Sequence, residues 1–206
     1  MTRSIYLVDD DDAVRASLHS LMSLQSDLLV RSFRSGDLFL SSAGDLDPGV
    51  LLLDFHMPGS NGIEVLSALR DRNIKKFAPV ILTGEGNVGL AVQAMKAGAL
   101  DFIEKPYEAE TLLRTVEVAF SRLAEDSAAA AHAEQARIKI AGLSPRERDV
   151  LMGLIEGRAN KVIAFELDIS PRTVEIYRAN LMTKLGVRSL PEALRIAFVA
   201  GLIGQP

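Results

Sequence analysis

Asp9, Asp10, Asp54, Thr83 and Lys105 lie far apart in the chain, and they are the side-chain types that phosphoryl chemistry uses. Carboxylate oxygens grouped together attract a hard divalent cation such as Mg2+, which keeps some waters and can also hold phosphate oxygens. A lysine ammonium neutralises a second anion, and a threonine hydroxyl can donate to it. An aspartate can itself be the nucleophile toward phosphorus, forming an aspartyl phosphate. Phosphoryl transfer needs mainly positioning and charge neutralisation, which this set supplies. Taken singly, each residue has a simpler reading. An aspartate after a strand is usually a turn or N-cap residue, and a lysine before proline is usually solvated. Asp11 and Asp12 keep that reading, with Asp12 expected to cap a helix starting at Ala13.

The elements around these residues bring them together. Asp54 ends a run of leucines in LLLDFHMPG, where residues 50–53 read as a strand buried on both faces and the following MPG as a turn. Residues 5–8, 28–33, 80–82 and 100–103 are further short apolar runs rich in branched side chains. Between and after them, apolar stripes at helical spacing run through Val14, Leu18, Leu21 and Met22, then Val65, Leu66 and Leu69. Others follow at Val88, Val92 and Met95, and at Leu112, Val116, Phe120 and Leu123. This alternation predicts a parallel sheet covered by helices on both faces. Ligands bind outside the carboxyl ends of such strands. Strand one ends in Asp9-Asp10, strand three in Asp54, strand four in Thr83 and strand five in Lys105-Pro106, so all converge on one edge.

Beyond residue 123 the pattern changes. Residues 124–142 are alanine-rich and charged without an apolar stripe, which predicts a helical linker. Ser144 with Glu147 makes a capping box with Pro145 at the first helical position. Ser170-Pro171 opens another helix, Ser189 with Glu192 suggests a second box, and Gly157 and Gly186 are helix stops. Four short helices and no strand are expected. Residues 160–167, a turn at Asp168-Ile169 and residues 171–185 read as a helix–turn–helix. Ile163, Ala164, Leu167, Ile169, Val174, Leu181 and Leu185 point inward. Its second helix then exposes Arg172, Thr173, Glu175, Ile176, Arg178, Ala179 and Lys184. Such a helix offers its N-terminal residues to base edges while basic side chains grip phosphates. On charge alone, a plain helical bundle with a charged face fits equally well.

Composition bounds the remainder. The chain has 206 residues, 48% hydrophobic and 24% charged, which suits one large or two small folded domains. With no cysteine, disulfide and thiolate chemistry are excluded and a reducing compartment fits. The start of the chain, MTRSIYLVDD, has no apolar signal segment, and no apolar run nears the ~20 residues of a membrane span, so a cytoplasmic protein is expected. The net charge of −4 hides an asymmetry. Residues 1–123 hold 12 basic and 17 acidic side chains, a balance of −5, whereas residues 144–206 hold 9 and 7, a balance of +2.

These motifs carry a resemblance. Residues 1–123 resemble the receiver domain of bacterial two-component response regulators, through Asp9-Asp10, the D-x-x-M-P of residues 54–58, Thr83-Gly84 and Lys105-Pro106. LSPRERDVL and GRANKVIAFELDISPRTVEIYRANLMTKLGV resemble the LuxR-type helix–turn–helix. Together they are similar to the NarL/FixJ family, most of all its FixJ branch. The resemblance implies an α/β flavodoxin-like receiver at residues 1–123 with strand order 2-1-3-4-5. It further implies a helical linker at 124–142 and an all-α four-helix DNA-binding domain at 143–206. Asp54 would accept phosphate from a sensor histidine kinase. Asp10, Asp54 and the backbone carbonyl of His56 would ligate Mg2+, with Asp9 holding a ligating water. Thr83 and Phe102 match the family's switch pair.

By the same resemblance Glu175, Ile176 and Ala179 would face bases, while Lys161, Arg172, Thr173, Arg178 and Lys184 hold the backbone of promoter DNA. A homodimer formed on phosphorylation is implied, with RNA polymerase as a further partner. Two departures border the water that would hydrolyse an acyl phosphate: His56, two residues after Asp54, and Glu85, two after Thr83. His19 and His132 give His56 no metal-ligand spacing. Glu175 stands where many relatives carry lysine, and an acid can accept from cytosine N4. A phosphohydrolase would want a second acid at position 56, and a phosphate sink would leave the C-terminal helices unexplained; a transcription regulator, not an enzyme, is the expectation. The G-x-G-x-x-G of residues 84–89 follows the fourth strand without the later acid a dinucleotide site wants.

Overall fold

Runs of leucine, valine and isoleucine become strands here because both of their faces are covered. In a computed structural model describing residues 2–84 and 88–202, β1 (Arg3–Val8), β2 (Leu28–Phe33), β3 (Gly49–Asp54), β4 (Phe77–Thr83) and β5 (Asp101–Glu104) form one parallel sheet. Its order is β2-β1-β3-β4-β5, as expected, and β3 is buried at every position. Glu85 and the middle of the glycine motif lie outside the described residues.

The two-residue period of a strand sorts side chains between two cores. Tyr6, Val8, Leu51, Leu53 and Ile81 pack under α2 (Gly36–Ser42), α3 (Gly62–Asp71) and α4 (Val88–Ala97). Ile5, Leu7, Val50, Leu52, Val80 and Leu82 pack under α1 (Asp12–Met22) and the start of α5 (Ala109–Ala141). The helix stripes at Leu18 and Met22, at Val65, Leu66 and Leu69, and at Leu112 and Val116 are all buried. Helix α2 escaped the periodicity reading because seven residues are too few to repeat a stripe. Helix α1 begins one residue earlier than expected. Asp11, not Asp12, is its N-cap and accepts from the backbone N–H groups of Ala13 and Val14, since the extended backbone of Asp11 aims its carboxylate back at the first turn.

Two compact units divide between Ser127 and Ala128, and α5 runs through that division as one 33-residue helix. The second unit holds the end of α5 with α6 (Pro145–Ile155), α7 (Asn160–Glu166), α8 (Pro171–Leu185) and α9 (Leu190–Val199). All seven apolar positions predicted for the helix–turn–helix belong to its core. Ser144 and Glu147 form the capping box, and Gly186 ends α8 in the left-handed conformation with φ 68°. Asp168 takes φ 53° in the turn, where an aspartate is tolerated. The box at Ser189 does not form. Glu192 instead accepts from the Ser189 hydroxyl and the Arg188 backbone N–H, one residue further back, so the hydroxyl is turned to the carboxylate and makes no bond to the first turn of α9.

Candidate functional site

The carboxyl edge of the sheet carries the polar set. Asp54 is the last residue of β3 and Thr83 the last of β4, while Asp9 follows β1 and Lys105 follows β5. Asp9, Asp54 and Thr83 are 2%, 6% and 0% exposed. Burial of this kind is costly for carboxylates without a partner, and the partner is Lys105. Its Nζ lies 2.6 Å from an Asp54 oxygen and 2.9 Å from an Asp9 oxygen. The lysine is held there by its own backbone, whose N–H donates to the Thr83 carbonyl at 2.6 Å. The Lys105-Pro106 peptide bond is cis.

Two acids share one ammonium, so the site carries an excess negative charge. Burial pushes the Asp54 carboxyl above the ordinary range; the Lys105 hydrogen bond and charge pull it down, and the neighbouring Asp9 pushes it up again. For Lys105, burial acts to lower the pKa, but the hydrogen bonds and charges of Asp54 and Asp9 outweigh it and raise the ammonium above its usual value. Both directions describe a cluster that holds a cation firmly and has room for more positive charge.

Three positioning groups were not visible in the residue pattern. Arg15 donates to the Asp9 carbonyl at 2.6 Å and pairs with Asp12, which pins the acidic loop after β1. The Asp9 carboxylate also accepts from the Asp11 N–H at 2.9 Å. Gly62 opens α3 so close to β3 that a Cβ there would sit 2.9 Å from the Asp54 carbonyl oxygen. That approach leaves no room for a side chain.

The remaining predicted residues are dispersed. Asp10 is exposed, and among the described residues no three acids or histidines stand close enough together to hold a metal. The His56 ring is exposed with its edge against Phe55, 4.6 Å between centroids, beside an open cavity of about 490 Å³. Phe102 is half-buried and packed on the α2–α3–α4 side of the sheet.

In the second unit, α8 presents Arg172, Glu175, Ile176 and Ala179 exposed, with Ile176 at 55%; Thr173 and Arg178 are half-buried. Lys161 is exposed on α7. Three of the expected backbone contacts have partners within the fold, and one is the Thr173 hydroxyl, 2.8 Å from that of Ser170. Arg178 donates to the Asn160 side chain at 2.9 Å, and Lys184 donates at 2.7 Å to the buried Glu147. Glu147 thereby closes the Ser144 box and ties α6 to α8, a role that spacing within one helix could not reveal. No described helix is long and apolar enough to cross a membrane.

Comparison with known proteins agrees over both units. Residues 5–117 match the response regulator receiver domain, and residues 141–197 match the luxR family of bacterial regulatory proteins. The transcriptional regulatory protein FixJ of Azorhizobium caulinodans is 46% identical, over 96% of this chain and 93% of its own length. Among solved structures, full-length FixJ from B. japonicum shares 43% identity with a TM-score of 0.60 and covers 99% of this chain and 100% of that one. The response regulator StyR shares 35% with a TM-score of 0.80, over 96% and 99%. The chain belongs to the NarL/FixJ family of two-component response regulators, with a receiver domain followed by a LuxR-type DNA-binding domain.

Proposed function

We propose that Asp54 takes a phosphoryl group from a sensor histidine kinase and that the phosphorylated chain dimerises and binds promoter DNA. The observation that supports this most directly is Lys105 Nζ held 2.6 Å from a carboxylate that is 6% exposed at the strand edge. In the transfer, an Asp54 oxygen attacks the phosphorus of the kinase's phosphohistidine. The O–P bond forms as the P–N bond breaks, and the imidazole departs with the electron pair. Lys105 then faces the phosphoryl oxygens, and Thr83 supplies a hydroxyl to them.

The donors are all oxygen, the chemistry that suits Mg2+: Asp10, turned in from its exposed position, would hold the ion with Asp54 and the His56 carbonyl, and Asp9 would hold a bound water. When bound, the ion supplies charge neutralisation at the transferring group. His56 borders this space and sets access of water to the acyl phosphate.

The added charge shifts the receiver toward a state with Thr83 drawn in and Phe102 inward. The dimer surface is built from α4, β5 and α5, where Val92 and Met95 of α4 are about half exposed at 46% and 50%. Two copies of α8 then engage spaced half-sites. Glu175, Ile176 and Ala179 read bases, and Lys161, Arg172 and Thr173 hold phosphates. Arg178 and Lys184 join them only through donors left by Asn160 and Glu147. The functional division is 1–123, 124–142 and 143–206, in the cytoplasm, with RNA polymerase as the downstream partner.

The test is duplex binding by anisotropy with Mg2+, with and without beryllofluoride, for the wild type and Asp54→Asn. Tightening confined to the wild type is expected. Equal binding in all four samples overturns the reading.

A further inference from the structure

The C-terminal unit has a groove that neither phosphorylation nor DNA binding uses. It lies between α9 and residues 128–141 of α5, with a volume of about 460 Å³, within the range of small-ligand sites. Ala136, Ile196 and Val199 give it an apolar floor, and Lys139, Arg195 and His132 line it with nitrogen. Ala136 is 6% exposed, whereas Val199 is 39% exposed, so the floor runs from the core out to solvent.

The cations are the informative part. Among the described residues neither Lys139 nor Arg195 makes a close ion pair, although the charge of Arg195 is felt by Glu192 on the same helix. The nearest acid on α9, Glu192, is committed to the Ser189 hydroxyl and the Arg188 N–H. Lys139 is held in place, because its Nζ donates to the Leu185 carbonyl at the end of α8 at 3.0 Å. One of its three donors is used there and two remain. A fixed ammonium and a guanidinium at the edge of an apolar floor match a ligand with one anionic end and a hydrocarbon body.

We propose that this groove binds a small amphipathic organic anion, a carboxylate on an aliphatic or aromatic body, with the charge between Lys139 and Arg195. The ligand would sit one hydrogen bond away from the C-terminal end of α8.

Octanoate is the probe, titrated into the full chain by calorimetry and followed by amide chemical shifts, with octylamine as the opposite-charge control. Saturable octanoate binding is expected, with shifts centred on Ala136, Lys139 and Ile196 and none from octylamine. Arg195→Glu should weaken it at least about fivefold, whereas Arg195→Lys should retain it. Both changes are at an exposed position, and unchanged shift dispersion elsewhere checks the fold. No saturable binding, equal binding of octylamine, or indifference to Arg195→Glu each overturns the proposal. Shifts of the same amides with protein concentration alone would seat a second copy in the groove and overturn it as well.

Discussion

Asp54 is the residue on which the proposed switch depends. It is a carboxylate whose burial is only partly compensated, because Asp9 competes for the same ammonium. Neutralising it removes a desolvated charge without emptying the site of partners for Lys105. Asp54→Asn is therefore expected to abolish phosphoryl uptake and to raise the melting temperature of the receiver. Calorimetry and a phosphate-affinity gel check the two halves. The pH dependence follows from the direction of the shift. A carboxyl raised above its unfolded value destabilises the fold above its folded pKa, and that penalty is relieved as pH falls through it. The stability gap between Asp54→Asn and the wild type should accordingly shrink on acidification, measured by denaturant unfolding across the acidic range. A gap that grows instead would mean that Lys105 outweighs burial at Asp54.

At the scale of elements, α8 leaves Arg172 in solvent and commits Arg178 and Lys184 to the fold. Arg172 is exposed, so Arg172→Ala should reduce the salt dependence of duplex binding by about one unit of slope and leave unfolding unchanged. Lys184 is paired with the buried Glu147, so Lys184→Ala should lower stability more than it lowers the salt slope. Salt titrations and chemical unfolding of the two variants separate the roles. The N-cap of α6 gives a third expectation, since Ser144→Ala removes half of a capping box and should cost ~1 kcal/mol. Glu175 is exposed on the same helix, and Glu175→Lys should alter base preference more than total affinity, as read by selection from random duplexes.

For the whole molecule, the proposal rests on two DNA-binding units being brought to one duplex. A single recognition helix grips weakly, and linking two raises affinity by about a hundredfold or more without any new contact. Beryllofluoride with Mg2+ should thus double the mass of the wild type by light scattering and tighten binding to a two-half-site duplex. A duplex with one half-site should respond far less. Asp54→Asn should do neither. A mass that stays that of one chain while DNA affinity rises would detach DNA binding from dimerisation.

Much of this was legible in the sequence because its signals are local or periodic. The five strands show as short branched runs, and the order of the sheet follows from the receiver resemblance once they alternate with helices. The convergence of Asp9, Asp54, Thr83 and Lys105 follows from parallel strands sharing one edge, which needs no knowledge of distances. Proline and serine mark the starts of α6 and α8, because caps are chemistry between neighbours. What only the tertiary structure decided are pairings between elements far apart in sequence. Lys105 bridges both acids while Asp10 stays in solvent, Arg15 and Gly62 set the loops, and Lys184 serves Glu147 on another helix. The physical reason is that a side chain's type declares what it can bind. Which partner it meets depends on packing, and packing is a property of the folded chain as a whole.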